Sequence, residues 1–269
     1  MQEKKGIGHE IKVFGKGFFV AFSMYSKIPM PQFPWADENM KYAICFFPVI
    51  GVVIAALSYG WYVVCNGFLP VPEIARVCFA AAIPVLISGG IHVDGFMDTC
   101  DALHSYQSKE RKLEILKDSH IGAFSVIMLF LFSIAGIGAY SMLTKEVQRQ
   151  MMGCVFVLSR IFSGISVVTL PNAKKEGTLY TFSSHAHKNV VRGILFIEAL
   201  ICISTMCYIN LLLGAFTTIG VLLTFLFYKR ISLKEFGGIT GDLAGWFLCV
   251  CELTGCIVIG FFGTLFFVK

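Results

Sequence analysis

Three aspartates lie at helical spacing just after a long apolar stretch. Asp94, Asp98 and Asp101 occupy positions i, i+4 and i+7, so they share one face if the segment is helical. Carboxylate oxygens are preferred ligands of hard cations, and Mg²⁺ often completes its coordination with substrate phosphates. A single Asp here would more often be a cap or a solvated charge, but three on one face favour a metal site. The spacing therefore predicts that Mg²⁺ binds here together with a diphosphate substrate.

The polar segment that holds these aspartates, near 92–120, continues to Arg111, Glu114 and Asp118. Glu114 and Asp118 are four residues apart, which predicts a shared helical face. Charged residues between two membrane spans are usually a solvated face. Asp118 lies beside Gly122 at the entrance of the next apolar stretch, and this position favours a functional role.

Arg160 lies inside an apolar stretch, where a charge costs about 2.5–3.5 kcal/mol on insertion scales. It is therefore expected to face a polar interior, and its guanidinium suits bidentate binding of phosphate. Lys174 and Lys175 follow in a second polar segment, near 171–192. Each is explained equally well as a phosphate contact or as a positive charge that anchors a membrane helix.

A third polar segment, near 229–244, is rich in glycine before the last apolar stretch. Gly238 and Gly241 would allow backbone N–H groups to approach a phosphate at a helix start, although glycines equally serve a turn. Asp242 beside these glycines, and Glu252 ten residues later, favour an additional metal or substrate contact.

The composition places the chain in a membrane. Of 269 residues, 56% are hydrophobic and 14% are charged, and the mean hydropathy is +0.74, far outside the range of soluble domains. The segment 11–28 is typical of an interfacial or re-entrant helix. The sequence predicts an all-α polytopic bundle of about seven transmembrane helices, each needing about 20 apolar residues, in one catalytic domain, 1–269. The predicted spans are 42–65, 74–92, 121–143, 151–170, 191–211, 214–228 and 245–268.

The basic residues predict the orientation, because cytoplasmic loops carry an excess of Lys and Arg. The three polar segments and the N-terminal segment fall on one side of the predicted topology and hold most of the basic residues. Met1 and the three segments are therefore expected in the cytoplasm, and Lys269 on the opposite side. A single site built from all three segments is then feasible. The basic residues of the opposite side are Arg76, Lys145, Arg149 and Lys269.

The combined pattern resembles the cobalamin synthase family, the adenosylcobinamide-GDP ribazoletransferases of vitamin B12 biosynthesis. The resemblance rests on Gly-Gly-Ile-His-Val-Asp-Gly at 89–95 with Asp98 and Asp101, on 113–124, and on Gly-Ile-Thr-Gly-Asp at 238–242 with Glu252. Shorter matches at 47–51, 159–160 and 171–177 follow in the order of the family. Glu198 belongs to no motif of the family, and its role stays open.

The resemblance implies a Mg²⁺-dependent transfer. The 5′-hydroxyl of α-ribazole, or α-ribazole 5′-phosphate, reacts with the diphosphate of adenosylcobinamide-GDP, GMP leaves, and adenosylcobalamin or its 5′-phosphate forms. It also implies an integral protein of the prokaryotic cytoplasmic membrane whose active site faces the cytoplasm. Such a protein contacts the lipid bilayer and is not expected to bind nucleic acid. A homo-oligomer, or association with other late-step cobalamin enzymes, stays open.

On this resemblance, Asp94, Asp98 and Asp101 are the expected Mg²⁺ ligands. Asp118 and Asp242 are further ligands or the base, and His92 is an alternative base, although a His at a helix end is more often a cap. The expected substrate-binding residues are Arg111, Arg160, Lys174, Lys175, Gly238, Gly241 and Glu252.

Two other functions fit part of the pattern. A CDP-alcohol phosphotransferase also places carboxylates at helical spacing on a cytoplasmic face, but its second Gly-x₃-Asp-x₃-Asp continuation is not in this sequence. A cation transporter would use Arg160, Glu198 and Glu252 along a path. It would place its decisive carboxylates at mid-membrane, whereas here the dense cluster lies in a polar segment.

Overall fold

The computed structural model describes residues 7–33 and 37–267, and the regular structure of these residues is all helical, without a β-strand. The helices include a short 3₁₀ helix, Ala43–Phe46, and a π-helical turn, Ser232–Phe236. The all-α prediction is thereby confirmed. The helices are α1 Ile7–Tyr25, α2 Asp37–Met40, α3 Phe47–Gly67, α4 Glu73–Ser88, α5 Ile91–His104, α6 Lys109–Ile115, α7 Ala123–Ser141, α8 Glu146–Thr169, α9 Thr178–His185, α10 Lys188–Ile209, α11 Leu211–Ile231 and α12 Gly241–Phe267.

In the described part of the chain, 6 helices are long and apolar enough to cross a membrane. They cover Glu38–Gly67, Ala123–Ser141, Glu146–Thr169, Lys188–Ile209, Leu211–Phe236 and Gly241–Leu265. The helices α4 and α5 meet the same criterion only as a pair bent by 93°, which raises the number to 7 if the pair is one broken span. The prediction of a polytopic bundle with about seven transmembrane helices is confirmed.

The predicted span 74–92 is wrong as a continuous helix. The helix α4 ends at Ser88, and Gly89 and Gly90 adopt φ values of 66° and 81°, a region that side chains rarely enter. The helix α5 begins at Ile91 and runs at 93° to α4. The three aspartates at 94, 98 and 101 therefore lie on a separate helix, and their predicted helical spacing is confirmed.

The helix α8 forms the centre of the bundle and packs against α3, α10 and α12. Gly51 allows α3 to come close, because a Cβ there would lie only 2.4 Å from the carbonyl oxygen of Phe156. The helix α7 instead lies at the periphery, where Phe130 and Ile134 are exposed. A charged side chain on α8 is thus kept away from lipid, and Arg160 is only 1% exposed.

Other helix boundaries differ from the predicted ones by a few residues. The helices α10 and α11 are separated at Asn210, whose side chain accepts a hydrogen bond of 2.9 Å from Leu213 N and caps α11. The helix α1 covers Ile7–Tyr25 rather than 11–28 and packs against α2 and the 3₁₀ helix. Its interfacial or re-entrant location stays a prediction. Met1 and Lys269 lie outside the described residues.

Candidate active site

The aspartate helix α5 crosses the start of α12 at two glycines. A Cβ at Gly95 would lie 2.7 Å from the carbonyl oxygen of Asp242, and one at Gly245 would lie 3.0 Å from the α5 backbone. Contacts this close exclude a larger residue at Gly95. The crossing brings carboxylates from distant parts of the sequence together, and the charges of both Asp94 and Asp242 act on Asp98.

A cavity of about 260 Å³, here called the polar cavity, lies beside this crossing. It is lined by residues from all three polar segments, which the sequence predicted to meet at one site. The predicted site residues that line it are His92, Asp94, Lys174, Gly241 and Asp242. Asp98 does not line the cavity but lies one turn beyond Asp94 on α5, half-buried beside it.

Backbone hydrogen bonds join the second and third polar segments at the edge of the polar cavity. Ala173 N donates to Ile239 O, and Ile239 N donates to Pro171 O, both at 2.9 Å. Gly238 permits this contact, because a Cβ there would lie 2.5 Å from the Pro171 carbonyl oxygen. Gly238 therefore allows the two segments to approach closely enough for these hydrogen bonds. It does not line the cavity, whereas Gly241 does.

Lys174 places a positive charge beside the carboxylates. Burial lowers the pKa of its ammonium group, and the nearby charge of Asp242 opposes that effect. Asp242 lies in the first turn of α12, where Leu243 N donates to Thr240 Oγ1 at 3.2 Å and the helix dipole stabilises a carboxylate. The polar cavity thus combines a cation with the carboxylates of Asp94 and Asp242 on separate helices, and with that of Glu176, which pairs with Lys117.

The donor set of the polar cavity fits Mg²⁺ bound together with a phosphorylated substrate. Within residues 7–33 and 37–267, no three His, Cys, Asp or Glu side chains are already arranged as a metal centre. Mg²⁺ does not require such a cage, because it is commonly held by one or two carboxylates, water and substrate phosphates. Asp94 and Asp242 line the cavity, and Asp98 lies one turn from Asp94 on α5, where the charges of both carboxylates act on it.

Asp101 has a different environment from the other two aspartates of α5. Its Oδ2 accepts a hydrogen bond of 2.8 Å from Gly122 N, and its Oδ1 accepts one of 2.9 Å from Ser125 N. These N–H groups belong to the start of α7 and have no partner within that helix. Both oxygens of Asp101 are therefore used to cap α7, and its assignment as a metal ligand stays a prediction.

Three other predicted site residues lie away from the polar cavity. Arg111 is exposed and pairs with Glu114 at 2.6 Å. The carboxylate of Asp118 accepts a hydrogen bond from the backbone N–H of His120 and forms another with the His120 ring. These hydrogen bonds lower the pKa of the Asp118 carboxyl group. The helix α6 ends at Ile115, so the predicted helical face shared by Glu114 and Asp118 is wrong. Lys175 is likewise exposed and does not line the cavity.

Arg160 and Glu252 form a buried ion pair deeper in the bundle. Arg160 Nη1 donates to Glu252 Oε1 at 2.8 Å and to the Phe156 carbonyl oxygen at 2.7 Å. Both side chains line a second cavity, of about 310 Å³. His92 lines both cavities and separates the ion pair from the polar cavity. Arg160 thus lies in a polar environment inside the bundle, where its charged partner is the carboxylate of Glu252, and its predicted phosphate contact stays a prediction.

The sequence analysis did not select several polar residues that line the polar cavity, among them Asn172 and Tyr180. Asn172 lies within the matched stretch 171–177, which was an available signal, whereas Tyr180 on α9 carried none. It also did not select Lys112, which is buried and donates to Glu235 Oε2 at 2.6 Å. This ion pair attaches α6 to the π-helical turn within the third polar segment.

Fold and site together define a polytopic helical membrane protein with carboxylates and a lysine around a polar cavity at one end of its bundle. The profile of the cobalamin-5-phosphate synthase family matches residues 17–260, and the chain belongs to this family. No solved structure matches the chain.

Curated relatives match most of the chain. An adenosylcobinamide-GDP ribazoletransferase of Lachnoclostridium phytofermentans is 43% identical over 87% of this chain and 89% of its own length. A protein of the same name from Clostridium perfringens is 34% identical over 93% of this chain and 99% of its own length. Another from Fusobacterium nucleatum is 26% identical over 88% of this chain and 94% of its own length.

Proposed function

We propose that this protein is an adenosylcobinamide-GDP ribazoletransferase that performs a late step in assembly of the cobalamin nucleotide loop. A free ribose hydroxyl of α-ribazole, or of α-ribazole 5′-phosphate, loses its proton and bonds through its oxygen to the phosphorus on the cobinamide side of the diphosphate. This hydroxyl is not the 5′ one expected from the sequence, because the 5′ position of α-ribazole 5′-phosphate is already esterified and its phosphate is kept in the product. The phosphoanhydride bond breaks, and GMP leaves. The observation that carries the proposal is the meeting of Asp94, Lys174 and Asp242 around one cavity in a chain of this family.

The carboxylates would hold Mg²⁺ against the diphosphate. Asp94 lines the cavity and is exposed, and Asp98 lies beside it on α5. When bound, Mg²⁺ supplies positive charge that neutralises the phosphate oxygens as the leaving group departs. Lys174 adds a second positive charge from the opposite segment. Its ammonium group stays protonated below its lowered pKa, which favours binding of an anionic substrate.

Asp242 would accept the proton of the attacking hydroxyl. It lines the polar cavity from α12, on the other side of the crossing from Asp94. Asp118 is the weaker candidate because it is exposed and held by His120 outside the cavity. His92 is buried between the two cavities, a position that suits contact with substrate better than exchange of protons with water.

The protein would lie in the cytoplasmic membrane of a prokaryote, and its polar cavity would open to the cytoplasm. Support comes from the basic residues of the three polar segments, since positive charge is retained on the cytoplasmic side. Nucleotide substrates would then reach the site without crossing the bilayer.

The direct test is an assay with detergent-purified protein and adenosylcobinamide-GDP. The protein is first treated with a chelator, and Mg²⁺ is then titrated with α-ribazole or α-ribazole 5′-phosphate as the acceptor. We expect equal amounts of GMP and of a cobalamin product, formed only when Mg²⁺ is present. Monodisperse protein that forms neither product with either acceptor would rule out the proposed activity, and turnover without divalent metal would rule out the role of Mg²⁺.

A further inference from the structure

The second cavity lies inside the membrane part of the bundle. Its wall includes Ala82 of α4, Gly136 of α7, Arg160 of α8 and Glu252 of α12, and its volume of about 310 Å³ lies within the range of small-molecule sites. It is called the inner cavity below. Its wall belongs to the membrane helices apart from His92 and Val93, at the start of the first polar segment, and the proposed roles of the aspartates do not account for it.

Two buried polar atoms at the inner cavity have no hydrogen-bond partner among the described residues. They are Nε of Arg160, a residue that is 1% exposed, and Nε2 of His92, which is 9% exposed. A buried polar group without a partner destabilises a protein, because it loses its hydrogen bonds to water and gains none. A ligand that brought a hydrogen-bond acceptor into the cavity would remove part of this cost, because the Nε–H group of Arg160 can donate.

The charge and lining of the inner cavity define the chemistry of that ligand. Glu252 already neutralises Arg160, so the pair does not demand an anion. Most of the remaining wall is apolar, with small residues at Ala82 and Gly136 and larger side chains such as Phe132 and Leu253. The matching ligand is an uncharged, largely apolar group that carries one acceptor atom. A lipid acyl tail would leave both buried polar atoms without partners. An aromatic heterocycle with one free ring nitrogen would provide an acceptor for Arg160 Nε.

The inner cavity adjoins the polar cavity, because His92 and Leu248 line both. His92 is also only two residues before Asp94 on α5. A molecule with a heterocyclic end in the inner cavity and a ribose end toward the polar cavity would bring its hydroxyl to the carboxylates. The base of α-ribazole is such a heterocycle.

We propose that the inner cavity binds the aromatic base of the acceptor nucleoside, with Arg160 Nε donating to its ring nitrogen. The proposal rests on the proposed function. It places the acceptor partly at membrane depth and leaves the polar cavity to the diphosphate. Specificity for an apolar base would follow, because a base with several polar edges would lose hydrogen bonds to water in this cavity.

The test fills the inner cavity from α7. A Cβ at Gly136 has no atom within 4 Å, so Gly136→Leu extends into the cavity without a backbone clash. Gly138→Leu is the matched control, because Gly138 also has open space on the same helix but does not line the cavity. Ala82→Leu fills the cavity from α4 and decides the outcome if Gly136→Leu does not fold. Binding of α-ribazole is measured by equilibrium dialysis with Mg²⁺ absent, and KM is measured for each substrate.

We expect Gly136→Leu and Ala82→Leu to weaken α-ribazole binding, and to raise its KM, on the order of 10-fold or more, equivalent to about 1.4 kcal/mol. KM for adenosylcobinamide-GDP should not change, and Gly138→Leu should match the wild type. Unchanged α-ribazole binding and KM in the folded filling variants would overturn the inference. If α-ribazole binding and KM were unchanged but the filling variants carried less co-purifying phospholipid than the wild type, the inner cavity would be a lipid site instead. If wild-type protein converts neither α-ribazole nor α-ribazole 5′-phosphate, the proposed function itself fails.

Discussion

The aspartates of this site differ in their surroundings although they are chemically identical. Asp94 is exposed and lines the polar cavity, Asp98 is half-buried beside it, and Asp101 has both oxygens occupied by backbone N–H groups. A metal that must also contact a substrate diphosphate needs ligands that face the cavity. Asp94 meets this requirement best, and Asp98 is the next candidate.

Replacing Asp94 or Asp98 by Asn should abolish most of the activity. Asn keeps the size of the side chain but removes a charge that Mg²⁺ needs, so turnover should fall roughly 10²- to 10³-fold, the range seen when one electrostatic contact to a transition state is lost. Initial rates are measured against Mg²⁺ concentration for each purified variant. Glu110→Gln, on the exposed side of α6, is the charge-matched control and should behave as the wild type.

Folding of these variants is checked by thermal unfolding in the same detergent. If Asp94→Asn and Asp98→Asn both keep wild-type turnover and Mg²⁺ dependence, the metal lies elsewhere.

The ion pair of Arg160 and Glu252 should reveal its structural role in a double-mutant cycle. Arg160→Met leaves the Glu252 carboxylate without its partner in the bundle interior, which should reduce stability by about 3–5 kcal/mol. Adding Glu252→Met removes the unpaired charge and should recover most of this loss. Unfolding temperatures of the single and double variants provide the measurement.

Activity separates the structural role of this pair from its proposed contact with substrate. The stabilised double variant should remain impaired, with a raised KM for α-ribazole, because Arg160 Nε is absent. A double variant as unstable as Arg160→Met alone would contradict the ion-pair account.

The start of α7 depends on a cap that comes from another helix. Asp101 of α5 accepts hydrogen bonds from Gly122 N and Ser125 N, and a Cβ at Gly122 would lie 2.5 Å from its carboxylate. The cap thereby fixes α7 relative to the helix that carries Asp94. These contacts favour a positioning role for Asp101.

Asp101→Asn should therefore affect stability more than metal dependence. The amide can accept only one of the two hydrogen bonds, and loss of a helix cap costs about 0.5–2 kcal/mol. We expect a lower unfolding temperature and reduced turnover, with an unchanged Mg²⁺ concentration for half-maximal rate. A raised Mg²⁺ requirement without loss of stability would instead identify Asp101 as the metal ligand that the sequence suggested.

The crossing of α5 and α12 depends on Gly95. An added Cβ would meet the carbonyl oxygen and Cα of Asp242 at 2.7 and 2.8 Å, so Gly95→Ala must move one helix. Such overpacking costs about 1–3 kcal/mol and would move Asp94 away from Asp242. Turnover should fall more than substrate binding, as judged from kcat and KM. Gly193→Ala, in α10 with no atom within 4 Å of the new Cβ, is the control and should keep full activity. If Gly95→Ala kept the wild-type kcat, the distance between Asp94 and Asp242 would not determine the rate of turnover.

The complete molecule must place its three polar segments on one side of the bilayer if they share a site. Exposed positions for cysteine substitution are Lys109 in the first, Lys175 in the second and Lys234 in the third segment, with Lys145 as the opposite-side control. An impermeant thiol reagent should label Lys145→Cys in intact cells, and the other three only in inside-out vesicles. Labelling of Lys109→Cys and Lys234→Cys from opposite sides would overturn both the orientation and the shared site.

Hydropathy and short motifs were enough to predict much of this molecule. Apolar stretches of sufficient length predict membrane helices, because the cost of unpaired backbone groups in lipid leaves few alternatives. The spacing of Asp94, Asp98 and Asp101 predicted one helix, and the motifs around Asp94 and Asp242 predicted the family, because these are local properties of the chain.

Other properties depended on contacts between residues far apart in the sequence. Asp101 caps α7, Gly238 contacts the backbone near Pro171, and Arg160 pairs with Glu252, although none of these pairs is adjacent in the chain. The bend at Gly89 and Gly90 was equally hidden, because glycine permits both a continuous helix and a turn. The role of each polar residue therefore followed from which backbone groups and charges the packing of the helices brought near it.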